Sequence, residues 1–177
     1  MFLYLAMIDS DTDKSKFEIL YSEYKNLMYY TANRILRNSS DAEDVVHHAF
    51  LKIIEILNTI SSPRCHKTRA LLVTITEHKA IDLYREKQRR NVLPLAEEYI
   101  GAAPAAEIER LAARDTLAAA IASLPPRYRS VLLLRYDCGY SNAEIANILD
   151  TTEPNVRKLI QRAKEKLSAA LSGMEEP

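Results

Sequence analysis

The chain has no tryptophan, only three glycines and only two cysteines among 177 residues. Each scarcity excludes something. So little glycine beside so much Leu, Ile, Ala, Glu, Lys and Arg favours an all-α chain. Cys65 and Cys138 are far apart and form no CxxC pair, so neither a disulfide framework nor a zinc cluster is indicated. A reducing cytoplasm is then the default location. There is no glycine-rich phosphate loop and no nucleophile motif, which makes an enzyme the weakest choice and gives no sign of a cofactor or a small-molecule substrate. Long apolar runs are missing too. The opening "MFLYLAMI" is eight residues long, has no basic flank before it and is followed by "DSDTD". It is too short for a membrane span and lacks the layout of a signal peptide, so a buried N-terminal segment is expected and membrane insertion is not.

What remains is 47% hydrophobic and 27% charged, the make-up of an ordinary globular protein with a core to bury. The length suits one ordinary domain or two small ones. The net charge is zero but unevenly spread. Residues 1–63 carry net −3, residues 64–90 net +5, residues 91–126 net −3, and residues 127–172 net +3. Two basic segments that can meet phosphate alternate with acidic segments, the first of which can meet a basic protein surface.

The segment 91–113 holds two prolines, a glycine and a run of alanines, and reads as a linker. It divides a domain over 14–90 from a second over 114–172. In the first, Phe17, Leu20, Tyr21, Tyr24, Leu27, Met28 and Ile35 form one helical stripe. Ser40 and Glu43 then stand at capping-box spacing before a helix carrying Val45, Val46, Ala49, Phe50, Ile53, Ile54 and Leu57. A loop, "SSPRCHK", precedes a third helix over 68–90 with a basic end.

The second domain ends in "SNAEIANILDTTEPNVRKLIQRAKEKL". Ser141 and Glu144 repeat the capping-box spacing. A helix over Asn142–Leu149 buries Ile145, Ala146 and Leu149, and "DTT" is a turn of helix-turn-helix length. Thr152 caps the last helix, whose buried face is read as Val156, Ile160, Ala163 and Leu167. Its outward face keeps Asn155, Arg157, Lys158, Gln161, Arg162 and Lys164. The second helix of such a pair commonly enters the major groove, where Arg can pair with guanine and Gln with adenine. A solvated helix with ordinary surface charge is the plain alternative. The short turn, the small buried Ala146 and five cations against two acids favour DNA.

Residues "LPPRYRSVLLLRYDCGYSNAEIANILDTTEPNVRKLIQRAKEKL" resemble the DNA-binding domain 4 of bacterial sigma factors. Residues "DAEDVVHHAFLKIIEIL" resemble the start of their domain 2. Both in this order, with a short linker between, resemble the extracytoplasmic-function (ECF) group of the sigma-70 family. The resemblance implies two small helical domains and a protein that directs core RNA polymerase to −10 and −35 promoter elements. Its partners would be core polymerase, through the coiled coil of the largest subunit, promoter DNA and an anti-sigma factor. By position, Asp41, Glu43, Asp44, Val45, His47 and His48 match the polymerase-docking motif. Arg64, Lys67, Arg69, Glu77, His78, Lys79, Arg85 and Lys87 match the −10 surface. The outward face of the last helix matches the −35 reader. The chain departs from the pattern at Leu71, where many relatives place Trp, at His78, where many place an amide, and at Asp150, in place of a usual turn glycine.

Two other classes compete. A free-standing helix-turn-helix regulator has no need of the acidic-apolar motif at 41–54. The other is an adaptor whose helices bind other proteins. Adjacent His47 and His48 point to different helix faces and make a poor metal pair, and Cys65–His66 lacks further ligands nearby.

Overall fold

The computed structural model describes residues 2–90 and 115–175. The linker expected over 91–113 lies outside the described residues. Every regular element among the described residues is helical. The chain divides into two compact units, Met1–Pro94 and Leu95–Pro177.

The first unit is built on three long helices. A short helix α1 (Phe2–Leu5) leads to α2 (Asp11–Leu36), α3 (Ser39–Glu55), a single 3-10 turn (Leu57–Thr59) and α4 (His66–Arg90). Ser10 starts α2: its side chain accepts from the Asp13 N–H, and Asp11 and Asp13 sit where the helix dipole favours acids. Arg37 ends it in the left-handed region at φ 52°, its N–H returned to the Asn33 carbonyl at 2.8 Å. Helices α2, α3 and α4 pack on one another. Phe17, Leu20, Met28, Phe50, Ile53, Leu71, Leu72 and Ile75 fill the space between them. Each such side chain contributes about 1.5–3 kcal/mol of burial. From α1, Tyr4 and Ile8 beyond it are buried, while Leu3 and Met7 are exposed. The N-terminal segment is therefore buried on one face only.

Two boundaries and one buried face differ from the sequence expectation. Helix α3 is capped by Asn38, which accepts from the Asp41 N–H at 3.0 Å, so Ser40 already lies in the first turn and the Ser40–Glu43 box does not form. Helix α4 begins at His66, because Cys65 serves as its cap: its carbonyl accepts from Arg69 and its Sγ from the Thr68 N–H. Of the α2 stripe, Tyr21 and Leu27 are only half-buried, and Thr31 and Ala32 complete the buried face.

In the second unit α5 (Thr116–Ser123) is capped by Asp115, and α6 (Pro126–Leu132) starts with Pro126, whose missing N–H costs nothing there. The helix then widens into a π turn, Leu133–Asp137, closed by the Cys138 N–H on the Leu133 carbonyl at 2.9 Å. Gly139 takes φ 82°, and α7 (Asn142–Ile148) and α8 (Glu153–Glu175) follow. Helices α5, α6 and α7 all pack on α8. The buried face of α8 is Val156, Leu159 and Ala163; Ile160 and Leu167 are half-buried. Val156 and Ala163 stand as read in the sequence, and Leu159 takes the buried place expected for Ile160.

Candidate functional site

In the second unit local chemistry sets the pair of helices. The Ser141 N–H donates to Glu144 Oε2 at 2.7 Å, and Ser141 Oγ accepts from the Glu144 N–H at 3.2 Å. The Ser141 side chain, and then its backbone N–H, hold the Glu144 carboxyl below the usual glutamate range. Asp150 adopts φ 49° in the turn, the left-handed geometry that Asp tolerates better than most residues. Thr151 returns its N–H to the Ala146 carbonyl at 2.9 Å, and Thr152 Oγ1 accepts from the Asn155 N–H, starting α8.

All six side chains expected on the outward face of α8 are exposed: Asn155, Arg157, Lys158, Gln161, Arg162 and Lys164. They differ in their freedom. Arg157 pairs with Glu153 at 2.6 Å, Gln161 donates to Glu165 at 3.1 Å, and Asn155 donates to Thr151 at 2.8 Å. Lys164 leans over the Tyr136 ring, 5.3 Å from its centroid. Lys158 and Arg162 make no hydrogen bond or ion pair among the described residues. An incoming phosphate or base edge meets these two directly. At Arg157 it must first displace an i,i+4 partner worth about 0.3–0.5 kcal/mol.

In the first unit the loop before α4 is pinned from three sides. Tyr24 Oη donates to the Pro63 carbonyl at 3.0 Å, Thr68 Oγ1 donates to the Ser62 carbonyl at 2.6 Å, and Arg64 pairs with Glu23. The side-chain contact with the Thr68 hydroxyl, and then the Thr68 N–H that donates to Cys65 Sγ, hold the Cys65 thiol below its ordinary range. Lys67 and Arg69 are exposed beside this loop, while His78, Lys79 and Arg85 are half-buried farther along α4. Glu77 is buried and accepts from Arg34 at 3.3 Å. Leu71, at the position where many relatives place Trp, is 1% exposed and presents nothing to a ligand.

On α3, Glu43, Asp44 and His48 are exposed. The Nδ1 of His48 lies 2.8 Å from the Asp44 carbonyl. Val45 is 3% exposed and belongs to the core, not to the surface where the sequence reading put it, because the stripe of α3 facing α2 and α4 runs through it. Asp41 is bound by Lys87, so a residue expected to face polymerase and one expected to face DNA hold each other. His47 is half-buried, its Nδ1 2.6 Å from Tyr4 Oη. Tyr4 is a neighbour that sequence reasoning missed, since no spacing rule links it to His47.

Residues 20–90 match the family Sigma-70 region 2, and residues 114–167 match Sigma-70, region 4. The chain is 26% identical over 171 residues to the ECF RNA polymerase sigma factor SigW of Bacillus subtilis, covering 90% of each chain. It is 29% identical over 157 residues to the ECF RNA polymerase sigma factor SigL of Mycobacterium tuberculosis, covering 86% of each. Among solved structures it is similar to the sigma factor RpoE of Bartonella quintana, in complex with the anti-sigma factor NepR, at 17% identity and a TM-score of 0.42. That likeness spans 86% of this chain and 94% of that one, and at such a score adds nothing to the assignment. No helix among the described residues is long and apolar enough to cross a membrane. With both sigma-70 regions matched in order along most of the chain, it belongs to the sigma-70 family of RNA polymerase sigma factors, in the extracytoplasmic-function group.

Proposed function

We propose a division of labour between the two units of this sigma factor. The chain binds core RNA polymerase and directs initiation at promoters with −10 and −35 elements. The family works by binding, and the polymerase supplies the chemistry. In our reading α3 docks on the coiled coil of the largest polymerase subunit through Glu43, Asp44 and His48, with Asp41 and His47 at the edge. The loop at 61–65 and the adjoining part of α4 hold the opened −10 strand, with Arg64, Lys67 and Arg69 nearest the loop and His78, Lys79, Arg85 and Lys87 farther along. Helix α8 enters the major groove at the −35 element with Asn155, Arg157, Lys158, Gln161, Arg162 and Lys164.

One observation carries this reading: all six polar side chains on the outward face of α8 are exposed, directly after a helix-turn-helix turn. Each is replaced by Ala, and binding of the reconstituted holoenzyme is measured on a promoter and on versions with single −35 substitutions. Loss of a base-reading Arg, at 157 or 162, costs about 1–3 kcal/mol and relaxes preference at one base pair. Loss of Lys158 weakens all sequences alike and flattens the salt dependence. If no variant alters sequence preference, α8 is an electrostatic anchor and the reader lies elsewhere.

A further inference from the structure

Residues 2–8 lie ahead of both matched family regions, which begin at residues 20 and 114. None of the assignments above uses them. The turn of α1 runs on past Leu5: the Met7 and Ile8 N–H groups donate to the Tyr4 and Leu5 carbonyls at 3.0 and 3.3 Å. Two sides result. Tyr4 and Ile8 are buried on one. Leu3 and Met7, 69% and 55% exposed, share the other, since a step of four residues returns to the same helix side. Apart from Tyr30, these two are the exposed large hydrophobic side chains among the described residues of the first unit.

The buried side holds α1 in place. The Tyr4 ring lies 5.4–5.9 Å from the rings of Phe17, Tyr21, His47 and Phe50, and its hydroxyl is 2.6 Å from His47 Nδ1. Prising α1 away would break all of these contacts together, so it is a fixed wall and not a cover that lifts. It is also continuous with the docking face of α3. The His47 ring that Tyr4 touches lies 5.7 Å from that of His48, which is exposed. A groove of about 460 Å³ between α2 and α3 is lined by Tyr21, Tyr29, Glu43 and His47, and by Tyr4 from α1. Glu43 is exposed and makes no hydrogen bond or ion pair among the described residues, and Lys25 on the same groove lies over the Tyr21 ring, 5.4 Å from its centroid. An apolar wall beside unpaired acids repels nucleic acid and anionic lipid alike. It fits a basic protein helix that has an apolar face.

We propose that α1 extends the polymerase-docking face of α3, with Leu3 and Met7 packing on the coiled coil of the largest subunit. The proposal rests on the reading of α3 as the docking helix. It adds to that helix an apolar contact beside the acids, supplied by a segment outside the matched regions.

The test uses the full chain and core polymerase. The double variant Leu3→Ser, Met7→Ser lowers core affinity roughly 5- to 50-fold, the range for two side chains that lose part of their burial. Its unfolding transition matches wild type, because both side chains are exposed in the free chain. Leu3→Ile with Met7→Leu keeps wild-type affinity. At core concentrations that saturate the double variant, its run-off transcription equals that of the wild type. A photo-crosslinking residue placed at position 3 of an otherwise wild-type chain traps the largest subunit, and this arm decides the matter if the double variant proves unstable. The proposal is overturned if the double variant binds core polymerase as the wild type does. It is overturned equally if that variant binds more tightly, which would make α1 a cover over the docking face, or if the photo-label traps another subunit or DNA. Where Asp44→Lys loses core polymerase and the double variant does not, the α1 contact alone is wrong. Where Asp44→Lys also binds as the wild type does, the reading of α3 falls with it.

Discussion

The two units hold their positive charge in different ways. In the first, three cations are engaged by acids from other elements of the same unit, Arg34 by Glu77, Arg64 by Glu23 and Lys87 by Asp41, beside same-helix pairs such as Lys14 with Asp11 and Arg90 with Glu86. In the second, Arg157 pairs with Glu153 one turn away on the same helix, and Lys158 and Arg162 have no ion pair among the described residues. A side chain held by a distant element is fixed in place and partly neutralised. A side chain held by its own helix, or by nothing, exchanges its partner cheaply. The first unit thus offers a preset surface, suited to one protein partner and one opened strand. The second offers an adjustable one, suited to sliding along phosphates before a base is read.

This contrast breaks most clearly on α3. Asp44 is exposed and Asp41 is bound to Lys87, so the two acids answer differently to reversal. Asp44→Lys weakens core polymerase binding by about 10- to 100-fold, since like charges pressed together cost a few kcal/mol where water is excluded. It leaves the thermal stability of the first unit unchanged. Asp41→Lys faces Lys87 with a like charge and also lowers stability, by up to about 1 kcal/mol for an exposed pair. Core binding by fluorescence anisotropy and unfolding by circular dichroism separate the two. If Asp44→Lys binds core polymerase as tightly as the wild type, the acids only serve the dipole of their helix.

A smaller effect is expected at the α7 cap. Ser141→Ala costs the second unit about 0.5–2 kcal/mol and leaves the first unit's transition in place. The difference from wild type depends on pH. The Glu144 carboxyl is held below its ordinary value of 4.5, so its contribution is full above that value and is lost as the pH falls through the lower, folded-state value. The stability gap between wild type and Ser141→Ala therefore narrows under acid conditions below about pH 4.5. Equal stability of the two at neutral pH would remove the cap from the account.

What was legible in the sequence follows the range of the interactions. The Ser141–Glu144 box, the Pro126 start, Gly139 at positive φ and the Thr152 cap are set within four residues, and the structure has them all. The helical class followed from composition and period. Misreadings occur where neighbours offer the same chemistry. Asn38, Ser39 and Ser40 can each cap, and Asn38 does; Leu159 and Ile160 are both apolar, and Leu159 is the more buried. Val45 both opens the apolar series of α3 and falls within the docking motif, and the structure gives it to the core. Contacts between distant positions were not legible at all. Asp41 with Lys87, Tyr4 with His47 and Arg34 with Glu77 depend on how α1 to α4 pack, and no local rule pairs them.

The central claim, that both units work together on core polymerase, is met most directly by run-off transcription. Core polymerase is supplied with a genomic promoter library, with and without the full chain, and the transcripts are mapped. The account predicts discrete start sites that appear only with the chain present and share a −10 and a −35 element at constant spacing. Transcripts that are the same with and without the chain, alongside tight binding of the chain alone to duplex DNA, would contradict it and leave a free-standing helix-turn-helix regulator in its place.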